Sequence, residues 1–478
     1  MAGIGFELKK MFNKKGILAT TKAYGYATII CTGPVLLGIA LLIGIRVIAH
    51  YASASKFDVE LLNSMLTYTL LTSLIITNVF SYITTRFTAD CIYEKKKYKV
   101  FSSFIGSISI MLILGEIPYF LFLFLSDLEL PYILLNLLFL SELIIVWTEM
   151  NYLTAIKDYK GLFMAFLTSI MITFILGIIL LLMHINVITA LYLAVITGYG
   201  VMVIWYFILL KRYFPFSNIS SLTFLEWIDK YPQLFWLGII LSVGFFGHII
   251  IMWFSPLQIH IYKPYYGAPS YDIPALAAFL STLVTVVNFI TSVEVNFYPK
   301  YRTCFSLFND GGSYTDIIQA EEEMASTLRM ELEYLFARQL FVTVVFIIVG
   351  SFLLPRLNIG FNETSTGVFQ ILCVGYAFYG LANSVMLMQL YFADNKGALI
   401  DAIVFAISSC ALTVLFLYFD PALWGLGFTI GSLLFLIVAL VQLYYYIVNI
   451  NYHILSTQPL VFEEKIGFFT KIARRRYF

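Results

Sequence analysis

Long apolar runs are the feature that most constrains this chain. A helix of about 20 apolar residues crosses the hydrocarbon core of a bilayer, and twelve runs of that order follow one another. Only 12% of the residues are charged, whereas soluble domains carry about 25%. We therefore predict an all-α integral membrane protein of about 12 transmembrane helices. The runs lie at 24–49, 62–84, 100–126, 131–153, 161–183, 188–210, 232–256, 274–293, 337–357, 367–391, 399–418 and 425–449.

The placement of basic residues predicts the orientation of these spans. Of the 29 Lys and Arg residues, four fall in segments predicted to lie outside, and the other 25 fall on the predicted cytoplasmic side. Cytoplasmic loops carry an excess of Lys and Arg, so we predict that both termini lie inside. The four outer residues are Arg46, Lys56, Lys263 and Arg356.

A polar linker divides the predicted spans into six and six. Two repeated halves with a substrate path between them are a common transporter arrangement. We therefore expect two six-helix halves, the second of which contains a cytoplasmic insertion. The predicted segments are 1–23 (cytoplasmic amphipathic segment), 24–210 (first half), 211–231 (cytoplasmic linker), 232–449 (second half), 295–336 (insertion) and 450–478 (basic cytoplasmic tail).

The insertion is predicted to contain an amphipathic helix. A turn at Asp310-Gly311-Gly312 precedes Ser313, a suitable helix N-cap. Apolar residues then recur at helical spacing opposite an acidic face. This face either docks a cytoplasmic partner or is simply solvated. The residues on which the docking hypothesis rests are Glu321, Glu322 and Glu323.

Ionisable side chains inside predicted spans mark the candidate transport pathway. Such groups are costly in lipid and usually face a bundle interior or a wet cavity. Glu116 and Glu142 fall in spans three and four, and Glu149 follows Glu142 two turns later. His248 falls in span seven and is equally consistent with packing. We hypothesise that the two glutamates share one polar cavity, which Glu149 extends inward, although a buried structural carboxyl is the alternative.

Two prolines and two further acids complete the set of candidate positions. Pro34 in span one and Pro118 in span three each remove a helix hydrogen bond, so we predict kinks there. Glu294 and Asp401 fall at predicted span ends, where we interpret them as interfacial.

The chemistry of the sequence argues against an enzyme. It contains no phosphate-binding GxxxxGK[ST] loop and no HExxH metal motif, and we predict no catalytic residues, no metal and no cofactor. The GLGFTIG segment at 425–431 has the wrong spacing for a dinucleotide loop. We also expected acids within the spans without bases, a pattern that suits a neutral or cationic, hydroxyl-rich substrate rather than a pyrophosphate-linked lipid.

Four segments give the chain a specific resemblance. They are MAGIGFELKK at 1–10, Thr-Gly-Pro at 32–34, YGAPSYDIP at 266–274 and YFAD at 391–394. With them, the chain resembles the PelG family, the membrane component of Pel exopolysaccharide export systems and a relative of the multidrug/oligosaccharidyl-lipid/polysaccharide flippase superfamily. The resemblance implies export of an amino-sugar-rich polysaccharide used in biofilms across the bacterial cytoplasmic (inner) membrane. It also implies assembly with a cytoplasmic glycosyltransferase and with membrane subunits that sense cyclic di-GMP.

Three other functions remain open on the sequence. A flippase for a lipid-linked oligosaccharide would be favoured by intramembrane Arg or Lys. A cation-coupled drug antiporter of the same superfamily usually carries an acid in span one, which this chain lacks. A membrane scaffold that only anchors the glycosyltransferase is the fourth possibility.

Overall fold

The chain folds almost entirely into helices. The computed structural model describes residues 17–52, 54–154, 159–217, 220–357, 361–456 and 466–474. In lipid every backbone polar group must be satisfied within the chain, and helices do this locally. The α-helices are α1 (Ile17–Tyr51), α2 (Lys56–Tyr93), α3 (Tyr98–Leu125), α4 (Leu130–Thr154), α5 (Tyr159–Leu182), α6 (Val187–Tyr213), α7 (Glu226–Lys230), α8 (Pro232–Met252), α9 (Pro269–Phe279), α10 (Thr282–Thr291), α11 (Tyr298–Asp310), α12 (Tyr314–Leu353), α13 (Glu363–Tyr391), α14 (Asn395–Phe416), α15 (Leu426–Val448), α16 (Ile450–Ser456) and α17 (Phe468–Arg474).

Short irregular elements connect these helices. A π-helical stretch joins α10 to α11, and one antiparallel hairpin follows α8. The remaining elements are β1 (Ile259–Tyr262), β2 (Tyr265–Gly267), the π-helix Ser292–Phe297 and the 3-10 turns Thr223–Leu225, Leu354–Leu357 and Pro421–Leu423.

The predicted membrane-spanning architecture is confirmed. Within the described residues, 11 helical runs are long and apolar enough to cross a membrane by length and composition, and α9 to α11 count as one run, Pro269–Phe308. The first predicted span corresponds to α1, whose shorter apolar stretch is Leu36–Ala49. Each predicted span thus coincides with one helix or helical run, to within a few residues at its ends. The inward orientation of both termini stays a prediction.

The turn before α12 has the predicted structure. Gly311 ends α11 in the left-handed region at φ 76°, where a side chain would be strained. Ser313 then accepts a hydrogen bond from the Asp316 backbone N–H at 3.2 Å and caps α12. With 40 residues, α12 is about 60 Å long, roughly twice the hydrocarbon thickness. Part of α12 must therefore extend beyond the bilayer.

Two compact units are distinguishable by their internal contacts. The unit that we call the N-terminal unit comprises the described residues of Gly33–Ser242, Gln258–Gly267 and Glu463–Phe478. The C-terminal unit comprises those of Met1–Thr32, Val243–Leu257 and Ala268–Phe462. The predicted halves at 24–210 and 232–449, the linker at 211–231 and the insertion at 295–336 stay predictions. Most of the predicted N-terminal segment, residues 1–16, lies outside the described residues.

In the N-terminal unit, α17 packs against the segment that precedes α8. The Thr470 backbone N–H and hydroxyl both donate to Asp229 Oδ2, at 2.6 and 2.7 Å. The Ser220 hydroxyl donates to the Ala473 carbonyl at 3.1 Å, and the Arg474 guanidinium pairs with Glu226 at 3.3 Å. The predicted basic tail thus ends in a helix that belongs to this unit.

In the C-terminal unit, α14 and α15 approach each other through small residues. A Cβ placed on Gly427 would lie 2.4 Å from both the backbone N and the Cα of Thr413. One turn later, a Cβ on Gly431 would lie 2.7 Å from the same two atoms of Ser409. Small residues four apart on both helices let their backbones meet. The GLGFTIG segment therefore has a packing role.

Candidate functional site

The first predicted pathway carboxyl, Glu116, joins α3 to α4. It is half-buried, and its Oε1 accepts a hydrogen bond from the Ser141 hydroxyl at 2.9 Å. Ser141 is the residue before Glu142, so the two predicted acids lie near adjacent positions of α4. The hydrogen bond of Glu116 goes to Ser141, whereas Glu142 turns towards another helix.

Glu142 extends towards α6. A Cβ placed on Gly200 would lie 3.1 Å from Glu142 Oε1, so the absence of a side chain at Gly200 leaves room for the carboxyl. The other oxygen, Oε2, is buried and has no hydrogen-bond partner within the described part of the chain. Glu142 itself is half-buried. It is therefore a carboxyl with unused hydrogen-bonding capacity.

Glu149 is more enclosed than a pathway residue was expected to be. Its side chain is fully buried, and neither oxygen has a hydrogen-bond partner among the described residues. Burying an unpaired ionised carboxylate costs many kcal/mol, and such groups neutralise instead. Glu149 in this conformation is best described as a neutral carboxyl. The single cavity shared by the three glutamates stays a proposal.

A cavity of about 590 Å³ in the N-terminal unit is lined by other residues. Its walls come from α1, α5 and the turn before α6, including Ile48, Ile178 and His184. The lining contains none of the predicted pathway residues.

A buried polar cluster links four helices of the N-terminal unit. The Asn136 Oδ1 accepts from Thr69 at 2.9 Å and from Tyr192 at 3.1 Å. Thr69 also lies 3.1 Å from the Tyr119 hydroxyl, and the Asn136 amide donates to the Tyr132 carbonyl at 2.7 Å. Asn136 is fully buried. The sequence analysis missed this cluster because it considered only ionisable side chains; an asparagine in span four was the available signal.

The β-hairpin is tied to α2 and to the turn before α4. The Tyr68 hydroxyl donates to the Tyr266 carbonyl at 2.8 Å and accepts from its N–H at 3.0 Å. The Tyr262 hydroxyl donates to Glu129, and this bond raises the pKa of Tyr262. The hairpin thus presents tyrosines at one end of the unit.

His248, in the C-terminal unit, is fully buried among aromatic side chains. Its Nδ1 lies 2.8 Å from the Tyr271 hydroxyl, and its Nε2 lies 3.5 Å from the Tyr376 hydroxyl. The Phe428 ring lies 4.1 Å from the imidazole, centroid to centroid. Both ring nitrogens therefore have partners within the bundle. This geometry agrees with the packing alternative, and pathway lining stays a hypothesis.

Asp401 is not interfacial as interpreted from its position. Its side chain is fully buried, within α14. The interpretation was wrong because a position near a predicted span end does not reveal what neighbouring helices cover. The side chain of Glu294 lies outside the described residues.

The expectation that the spans hold no bases was also wrong. Arg338 falls within the predicted ninth span, 337–357, and its Nη1 donates to the Asn288 Oδ1 at 3.0 Å. Thr285 donates to Gln339 one residue further along α12. A polar seam with a guanidinium therefore joins α10 to α12.

The acidic face of α12 makes contacts within the chain. Glu323 pairs with Lys300 of α11 at 2.7 Å, and Glu321 accepts from the Asn451 amide of α16 at 2.8 Å. Glu322 is exposed. Of the three residues predicted to dock a partner, Glu322 is the most accessible, and docking stays a hypothesis.

Neither predicted proline kink interrupts its helix. Helix α1 runs from Ile17 to Tyr51 across position 34, and α3 contains Pro118 in its interior. Within the described residues, no group of three or more His, Cys, Asp or Glu side chains could hold a metal ion.

Comparisons with known proteins agree with this architecture. The family model "PelG: Putative exopolysaccharide Exporter (EPS-E)" matches residues 1–455. No curated protein matches the chain.

Solved structures of similar fold are transporters. A MOP superfamily transporter from Pyrococcus furiosus, whose description reports a binding pocket of reverse polarity, is 12% identical with a TM-score of 0.58, over 94% of this chain and 99% of its own. An outward-facing multidrug resistance MATE family transporter is 10% identical with a TM-score of 0.57, over 96% and 100%. Its inward-facing counterpart is 10% identical with a TM-score of 0.55, over 95% and 99%. At these identities the likeness shows the fold, and the match over residues 1–455 shows that the chain belongs to the PelG family of putative exopolysaccharide exporters.

Proposed function

We propose that this protein moves a nascent, amino-sugar-rich exopolysaccharide of the Pel type across the bacterial cytoplasmic membrane. The observation that carries the proposal is the family match over residues 1–455. A multi-pass fold shared with MOP superfamily transporters supports movement of a substrate rather than catalysis. By the same resemblance, the polymer would come from a cytoplasmic glycosyltransferase, with cyclic di-GMP-sensing membrane subunits as further partners.

Within the N-terminal unit, Glu116 and Glu142 are the best candidates to contact the polymer. Both are half-buried rather than enclosed, and Glu142 Oε2 has no partner among the described residues. Carboxylates accept hydrogen bonds from sugar hydroxyls and attract protonated amines. Glu149 is fully buried and would need a change of conformation to reach a substrate. We therefore place the primary contact at Glu116 and Glu142.

The test replaces both carboxyls while keeping their size. Glu116→Gln with Glu142→Gln removes the charge and keeps most hydrogen bonding. In cells that depend on this protein for polymer export, we expect normal protein levels and loss of secreted polymer. Glu363→Gln, an exposed glutamate in the first turn of α13, is the matched control and should export normally. Full export by the double variant would remove the two acids from the pathway.

A second function is favoured by one observation. Arg338 supplies a guanidinium within a predicted span, which is the feature expected of a flippase for a lipid-linked, pyrophosphate-containing oligosaccharide. Proteoliposomes that contain the full chain and its glycosyltransferase separate the functions. Polymer inside the vesicles supports the exporter, whereas translocated lipid-linked sugar without polymer supports the flippase. Polymer synthesis with no translocation of either product would leave the scaffold.

A further inference from the structure

Three buried oxygens in the C-terminal unit face one another without a hydrogen-bond donor. They are the two carboxyl oxygens of Asp401 on α14 and the Oε1 of Gln389 on α13. Both side chains are fully buried, and Gln389 is close enough to act on the Asp401 carboxyl. Buried polar groups nearly always have a partner, so three orphaned acceptors at one place need an explanation.

The orientation of the Gln389 amide is fixed by its neighbour. Its Nε2 donates to the Ala439 carbonyl of α15 at 3.0 Å, and a carbonyl can only accept. The amide therefore cannot rotate to offer its N–H to Asp401 without losing that bond. What Gln389 has left is an acceptor oxygen. No donor for Asp401 remains among the described residues.

The charge around Asp401 also opposes an ionised carboxylate. Asp394, just before α14, is the charged residue that acts on Asp401, and it is negative. Gln389 of α13 and the Ala439 carbonyl of α15 contribute no charge. A carboxylate here would be unpaired, desolvated and beside a like charge, at a cost of several kcal/mol. A proton removes that cost, because a protonated carboxyl becomes a donor.

We propose that Asp401 and Gln389 form a proton-binding site, in which the protonated Asp401 carboxyl donates to the Oε1 of Gln389. One proton satisfies the Gln389 oxygen and neutralises Asp401. A metal cation such as Na⁺ is less suited, because three protein oxygens fall short of the five or six ligands that such an ion takes. The site joins α13, α14 and α15, so release of the proton would favour an arrangement that lets water reach Asp401. This inference goes beyond the proposed function, because it concerns a ligand other than the polysaccharide.

Infrared difference spectroscopy of the full-length protein in lipid nanodiscs tests the site. The carbonyl stretch of a protonated carboxyl is separate from the bands of carboxylates and amides. At neutral pH, we expect the spectrum of the wild-type protein minus that of Asp401→Asn to show one protonated-carboxyl band. Asn replaces a neutral carboxyl closely and can donate to Gln389, so this variant should fold. Absence of the band would show an ionised Asp401 and overturn the proposal.

Two further measurements address the partner and the ligand. In Gln389→Met, which keeps the volume and removes the acceptor, the Asp401 band should move to the higher frequency of a carboxyl without a hydrogen bond. An unmoved band would refute the pairing. Adding NaCl at constant pH should leave the band unchanged, whereas its loss would reveal a site for Na⁺ instead of a proton. None of these readouts depends on polymer export, so the site and the proposed function can fail independently.

Discussion

The contact between α14 and α15 gives the most quantitative prediction. In Gly427→Ala, the added methyl group would lie 2.4 Å from the backbone N and Cα of Thr413. Carbon atoms in favourable contact are about 3.5–4.0 Å apart, so the two helices would have to separate by roughly 1 Å. Backbone atoms cannot move away by rotating about a side-chain bond, and overpacking of this kind typically costs about 1–3 kcal/mol.

A helix interior returns part of that cost. Replacing Gly by Ala within a helix is favourable by about 1 kcal/mol, so we expect a net destabilisation of about 1–2 kcal/mol. A change of 1 kcal/mol corresponds to about 2–4 °C in the melting temperature of a domain of 150–250 residues. We expect Gly427→Ala to lower the apparent melting temperature by about that amount in this longer chain.

Size-exclusion chromatography of the heated, detergent-solubilised protein measures this temperature. Gly431→Ala is the graded comparison, because its Cβ would lie 2.7 Å from the Ser409 backbone. Gly38→Ala is the control, because a Cβ there would meet no atom within 4 Å. The expected order of melting temperatures is Gly38→Ala highest, Gly431→Ala intermediate and Gly427→Ala lowest. Equal stability of all three variants would refute the argument from backbone contact.

Two further predictions follow from the polar cluster and from the charge distribution. Asn136→Leu removes the acceptor of the buried Thr69 and Tyr192 hydroxyls; unsatisfied groups cost about 1–3 kcal/mol, so the same heating assay should show a lower melting temperature. For topology, single cysteines at Lys97 and at Arg475 (which lies outside the described residues) should be shielded from impermeant thiol reagents in intact cells, whereas one at Tyr266 should react. Labelling at Lys97 in sealed cells would contradict the predicted orientation.

The membrane fold was predictable because its signal is local. About 20 consecutive apolar residues identify a span wherever its neighbours lie, and the turn at Gly311 with the cap at Ser313 depends on adjacent residues alone. The two glycines at 427 and 431 were visible in the sequence. Their role required the backbone of α14, which the sequence alone does not place against them.

The surroundings of the candidate residues were not predictable for a related reason. The partners of His248 lie 23 and 128 residues away, and Thr69 contacts Tyr192 across 123 residues. Which helices supply such partners depends on how the spans pack. Asp401 shows the same limit, because its distance from a span end says nothing about the helices that cover it.

The return of α17 to the N-terminal unit has a consequence for how the protein is made. Most of that unit ends at Ser242, yet Thr470 and Ala473 supply contacts to Asp229 and Ser220. A ribosome must therefore synthesise more than 200 further residues, including the spans of α9 to α15, before those contacts can form. Until then, Asp229 lacks the N–H and hydroxyl donors of Thr470. Early-inserted helices would thus wait in an incomplete form, and a nascent chain stalled before Phe468 should be more sensitive to proteases around Asp229 than the finished protein.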